Sequence, residues 1–104
     1  MANKQSTADI WENIFRENEW GKYPPVSVIK FIAKNFYKVE DRSKIKILEI
    51  GSGPGANLWF MAREGFTVYG IDFSKSACDR LVKRFENENL SDRIGGGGGV
   101  YWRL

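Results

Sequence analysis

The chain has 104 residues, 42% of them hydrophobic and 28% charged, with a formal net charge of +3 and a pI near 9.1. This supports one small folded core rather than disorder. With no histidine and a single cysteine, Cys78, the sequence excludes histidine-based catalysis, a zinc site and an intrachain disulfide within this chain.

The positive charge is dispersed. Lys30, Lys34 and Lys38 share a helix face, which reads as a solvated surface and does not imply nucleic-acid binding. No stretch reaches the roughly 18 apolar residues of a membrane span. The polar residues 1–5 lack the apolar centre of a signal peptide, so the cytoplasm is the expected compartment.

In chain order, Ile10, Trp11, Ile14 and Phe15 recur at helical spacing and predict a helix over about 7–18. Gly21 and Pro24-Pro25 break it. A second helix is expected over 27–37, with Val28, Ile29, Ile32 and Phe36 on one face. Polar residues 40–44 lead to a strand at 46–50, and a glycine-rich turn then opens a helix at 56–64, which Gly65 stops. A second strand is expected at 67–72. Ser74 caps a last helix over 75–89, in which Cys78 joins Ala77, Leu81, Val82 and Phe85 as core.

The turn Gly51-Ser52-Gly53-Pro54-Gly55 carries the chemistry. Glycine lets the backbone take positive φ and approach a ligand with no side chain intervening. Two acids frame it: Glu49 two residues before Gly51, and Asp72 at the end of the next apolar run, 21 residues after Gly51. An acid at the carboxyl end of a parallel strand can accept both ribose hydroxyl protons of a nucleoside cofactor. This fits a nicotinamide or flavin dinucleotide as well as S-adenosylmethionine, because Gly51 to Ala56 also satisfies the looser dinucleotide pattern. Pro54 removes an amide donor and Glu49 adds a negative charge, both poor for a pyrophosphate; a sulfonium bearing an ammonium group suits that acid better. The bland alternatives are a turn used for packing, Asp72 as a helix cap and Glu49 as a solvated strand residue. Ser74 already fills the cap role, and a glutamate between Leu48 and Ile50 favours a site role.

Over roughly residues 11–94 the sequence resembles the class I S-adenosylmethionine-dependent methyltransferases, particularly the small-molecule branch with a short helical N-terminal extension. LEIGSGPG is similar to that family's first motif and VYGIDFS to its second. The resemblance implies an α/β, Rossmann-like class I fold and S-adenosylmethionine as cofactor. Glu49 would then lie near the cofactor's amino-acid end, Gly51, Ser52, Gly53 and Gly55 would line it, Asp72 would hold the ribose and Phe73 would face the adenine. Trp20 and Tyr23 are candidates for a lid, or simply staple the extension to the domain. The implied organisation is a helical extension at 1–43, a partial cofactor domain at 44–94 and a tail at 95–104. The acceptor would be a small molecule. No catalytic residue and no metal ligand is identified, and the oligomeric state is open.

Class I methyltransferases need about seven strands and ordinarily about 200 residues. Here the family pattern gives way at five consecutive glycines, 95–99, which cannot build a buried strand. The expectation is a fold truncated after the second strand and its following helix, with both strand edges unpaired and little or no activity in this stretch alone. A reading-frame change in a guanine tract would produce such a run; glycine codons of mixed third base would exclude it. An interaction fragment that pairs with a complementary chain, or part of an NAD-dependent Rossmann enzyme, are the alternative readings.

Overall fold

A computed structural model describes residues 7, 9–10 and 21–95. Thr7, Asp9 and Ile10 are helical. The rest of the expected first helix lies outside the described residues, with Trp11, Phe15 and Trp20. The first complete helix, α1, spans Val26–Phe36, one residue earlier at each end than expected. Pro25 starts it with its ring-fixed φ of −65°, and the Pro25 carbonyl accepts from Val28 N–H at 3.0 Å. Its apolar face turns inward. Ile32 is buried, Val28, Ile29 and Phe36 pack on the core, and Lys30 and Lys34 face solvent.

Strand β1, Lys46–Ile50, and strand β2, Thr67–Ile71, pair in parallel from Lys46 opposite Thr67 to Ile50 opposite Ile71. Helix α2, Ala56–Arg63, makes the crossover that a parallel pair requires, and α3, Lys75–Asn87, follows β2. Ser74 caps α3 as expected, its hydroxyl accepting from Ala77 N–H at 3.1 Å. β2 ends at Ile71, so Asp72 stands one residue beyond the strand.

The core lies between the helices and one face of the sheet. Leu58, Phe66, Val68, Leu81 and Phe85 are essentially sealed from solvent, and Cys78 is buried with them. Arg42 secures the far end: its guanidinium lies 4.3 Å from the Tyr37 ring centroid and donates to the Tyr37 and Glu64 carbonyls, each at 3.0 Å. Tyr37 in turn donates its hydroxyl to the Glu64 carboxylate. Burial and that acceptor push the phenol up to about 12, keeping it protonated as a donor.

One edge differs from the expectation. Ile94 forms a parallel bridge with Val68, and Gly95 N–H donates to the Val68 carbonyl at 2.8 Å, so the outer edge of β2 is paired at one point. The short 3-10 turn Ser91–Arg93 aims the chain there, and Arg93 anchors it by donating to the Gly65 carbonyl at 2.9 Å. Burial of Ile94 favours this return. Among the described residues the other edge of β1 has no partner strand. The second sheet face is open as well: alternation turns Ile47 and Val68 to the core but leaves Leu48 55% and Ile50 73% exposed. No helix among the described residues is long and apolar enough to cross a membrane.

Gly55 and Gly51 both have positive φ, of +91° and +75°, but only Gly55 is hemmed in. A Cβ there would lie 2.5 Å from Leu81 Cδ1, and Leu81 is fully buried and cannot swing aside. Gly51→Ala meets open space and should cost only the conformational penalty of about 1–2 kcal/mol. Gly55→Ala should cost about 2–4 kcal/mol, because overpacking adds to that penalty. Chemical denaturation of the two variants checks the order; equal losses would contradict it.

Candidate cofactor-binding site

The 51–55 loop is pinned to the end of β2. Gly51 and Ser52 N–H groups donate to the Ile71 carbonyl at 2.7 and 3.3 Å, and Gly53 N–H donates to Asp72 Oδ2 at 2.8 Å. Gly55 N–H donates to the Ser52 carbonyl at 3.1 Å, and Pro54 has no amide hydrogen. Every amide of the loop is therefore spent internally or absent. A pyrophosphate laid on this loop would find no free donor within it.

Beside the loop is an open groove of about 360 Å³, lined by Gly21, Tyr23 and Pro25 on one side and by Glu49, Gly51–Pro54, Ala56 and Asn57 on the other. Glu49 points into this region from β1, half-buried, with Asn57 Nδ2 donating to its Oε2 at 2.7 Å. Glu49 Oε1 and Ser52 Oγ are the buried side-chain oxygens without a hydrogen-bond partner among the described residues. Burial pushes the Glu49 carboxyl above its ordinary value; the Asn57 amide draws it back, and the Asp72 carboxylate raises it further. A buried carboxylate with a free oxygen, made costly by a second carboxylate nearby, is a place for a cation.

Asp72 is 7% exposed and lies beneath the loop, with Oδ1 accepting from Ser74 N–H and Oδ2 from Gly53 N–H, each at 2.8 Å. Two of the roughly four lone-pair positions of its carboxylate are thus occupied by backbone. The structure brings Glu49, Gly51, Ser52 and Gly53 together along the groove, and Tyr23 opposite them. Gly55 is turned to Leu81 and does not line the groove, and neither do Asp72 and Phe73. Phe73 is 58% exposed. Trp20 is outside the described residues. Asn57, Gly21 and Pro25 were not anticipated. Asn57 follows Glu49 by eight residues, and the segment 21–25 reaches the groove through tertiary packing alone, so no local pattern marks any of the three. Among the described residues no three or more acidic, cysteine or histidine side chains gather as metal ligands.

Residues 47–95 match the family model described as "Methyltransferase domain". No curated protein sequence gives a significant match. Among solved structures, the chain is similar to a proposed S-adenosyl-L-methionine-dependent methyltransferase from Methanococcus maripaludis, at 24% identity and a TM-score of 0.59, over 100% of this chain and 46% of that one. It is also similar to an S-adenosylmethionine-dependent methyltransferase from Geobacter sulfurreducens in complex with S-adenosyl-L-homocysteine, at 23% identity and a TM-score of 0.61, over 82% of this chain and 34% of that one. A third, from Thiobacillus denitrificans and also in complex with S-adenosyl-L-homocysteine, has 20% identity and a TM-score of 0.58, over 89% and 36%. The chain thus spans less than half the length of each structure it resembles.

The Glu49 shift has a definite sign. A carboxyl whose pKa is higher folded than unfolded binds protons more tightly in the folded state, so its contribution is full at low pH and is lost as pH rises through the raised value. Glu49→Gln keeps an acceptor for Asn57 and removes the titration. It should be more stable than the parent at pH 7 and about equal at pH 4 in urea denaturation. An equal loss of stability at both pH values would contradict this.

Proposed function

We propose that the chain, whose residues 47–95 match a methyltransferase domain and whose fold is that of Rossmann-like methyltransferases, is the cofactor-binding portion of a class I S-adenosylmethionine-dependent methyltransferase acting on a small molecule. The observation that carries the reading is Glu49 Oε1, a buried oxygen without a partner beside a loop that offers no free amide donors. That donor set suits the ammonium and sulfonium charges of S-adenosylmethionine and is unsuited to the diphosphate of a nicotinamide or flavin dinucleotide.

When bound, S-adenosylmethionine supplies an electrophilic methyl group, transferred by in-line displacement to an oxygen, nitrogen or carbon nucleophile. In this reading each residue has a distinct part. Glu49 faces the cationic amino-acid end, held in orientation by Asn57. The backbone of Gly51, Ser52 and Gly53 forms a wall that a ligand can approach closely, and Asp72, buried beneath it, fixes that wall; in this reading its two remaining lone pairs would turn to the ribose hydroxyls once the cofactor is bound. Phe73, exposed just beyond Asp72 and outside the groove itself, would face the adenine in this reading. Gly21, Tyr23 and Pro25 wall the open groove on the other side, and in this reading Tyr23 is the lid aromatic. Alignment of nucleophile and methyl group is most of what this chemistry requires. Among the described residues we assign no base for the acceptor, and in this reading the stretch binds the cofactor without completing the transfer.

Calorimetric titration should show one-to-one binding of S-adenosylhomocysteine that NAD does not compete. Glu49→Gln should weaken it by at least about tenfold while stabilising the unliganded fold, so that loss of binding cannot be attributed to unfolding. Preferential binding of NAD, or no response to S-adenosylhomocysteine at millimolar concentration, would overturn the assignment. Purified 104-residue protein should also produce no measurable S-adenosylhomocysteine from S-adenosylmethionine, and detectable turnover would refute the binding-only reading.

The exposed Leu48 and Ile50 face and the unpaired edge of β1 favour a second reading, an interaction fragment that completes its sheet with another polypeptide. A stoichiometric complex with a complementary methyltransferase fragment, seen by size measurement, supports it. Monomers that bind cofactor unaided favour the first reading.

A further inference from the structure

Residues 21–25 form one wall of the candidate cofactor groove, yet they carry no regular secondary structure. Their far end is set by α1, through the Pro25 carbonyl. Their middle is held from α3, 62 residues away in sequence, where Arg84 Nη1 donates to the Lys22 carbonyl at 2.6 Å.

Arg84 is itself braced. Its guanidinium lies 4.0 Å from the Trp59 ring centroid, and its Nε donates to Glu88 Oε2 at 3.3 Å. Glu88 Oε1 accepts from the Trp59 indole N–H at 2.9 Å, closing a triangle of arginine, glutamate and tryptophan. The indole and the guanidinium together hold the Glu88 carboxyl below its usual range. The planar fork is thereby fixed in direction, leaving Nη1 for the carbonyl of the strap. Tyr23 completes the assembly edge-on to Trp59, with ring centroids 5.5 Å apart, and 5.9 Å from the Arg84 guanidinium. Trp59 belongs to α2, the helix that the glycine loop opens, so the clamp and the groove share one rigid element.

We propose that Arg84 is a positioning residue that latches the 21–25 strap over the cofactor groove, so that breaking the latch frees Tyr23 and lets the cofactor escape faster. This rests on the cofactor reading above. Lysine keeps the charge and the reach to a single carbonyl but loses the stacked fork, whereas methionine keeps the methylenes that cover Trp59 and loses the donor.

The test is proton NMR of the Tyr23 ring in Arg84→Met and Arg84→Lys, together with the dissociation rate of S-adenosylhomocysteine. In Arg84→Met the Tyr23 resonances should lose their Trp59 ring-current shift and move toward free tyrosine. Dissociation should quicken roughly tenfold, the scale of one charge-assisted hydrogen bond, while the association rate changes little. Arg84→Lys should recover part of both effects. An unshifted Tyr23 in Arg84→Met, or a freed Tyr23 with unchanged dissociation, overturns the proposal. Should the parent protein bind no S-adenosylhomocysteine, the cofactor reading falls and the latch to the groove falls with it; a Tyr23 shift that still responds to Arg84 distinguishes that failure from loss of the clamp itself.

Discussion

The site depends on one carboxylate. Asp72 stands just past β2 and takes two backbone N–H groups, one from Gly53 in the turn and one from Ser74 at the cap of α3. Hydrogen bonds to a charged acceptor are each worth about 1.5–3 kcal/mol, and removing the acceptor would leave two donors without partners. The neighbouring Ile71 carbonyl takes Gly51 and Ser52 from the same loop. Two consecutive residues at the end of one strand thus fix the turn that follows the other strand, and the turn has no amides left over. What it contributes to the groove is shape: a glycine-rich bend in which Ser52 and Pro54 carry the side chains, with Glu49 beside it.

The arrangement sets stability against binding. Glu49 is half-buried, close enough to Asp72 to be disfavoured as an anion, and has only one of its oxygens bonded to protein among the described residues. Such a group weakens the unliganded fold and becomes favourable when a cation sits against it. A titratable group perturbed in this way inside a groove is what binding sites tend to contain. The strap and its Arg84 clamp belong to the same logic, since an irregular segment with few contacts of its own needs an external donor to keep its place.

Much of this was legible because the decisive signals are local. The short apolar runs KILEI and TVYGI mark both strands, the second expected one residue too long, because Asp72 directs its side chain to the loop and leaves the ladder. Ser74, Gly65 and Pro25 marked helix ends through chemistry confined to their own turns. The framing of the glycine bend by two acids also reads directly from spacing. What did not read from the sequence is tertiary. Gly55 belongs by its spacing with the glycines expected to line the cofactor, but its freedom from a side chain serves Leu81 on α3. The Asn57 brace, the strap wall and the Arg84 triangle join residues whose separations carry no periodic signature. The bridge between Val68 and Ile94 was missed for a related reason: the glycines after it obscure a strand partner whose burial is decided one residue before they begin.

The claim that Glu49 receives a cation is tested most directly by proton-linked calorimetry. S-adenosylhomocysteine is titrated at a pH just above the ordinary carboxylate range, in two buffers of different ionisation enthalpy. Because burial and Asp72 raise the proton affinity of the Glu49 carboxyl, an arriving ammonium group should lower it again and drive proton release. The observed heat should then differ between the buffers in the direction of proton release, with affinity rising as pH rises and with neither effect in Glu49→Gln. Identical heats in the two buffers, or proton release that survives the substitution, would contradict the claim.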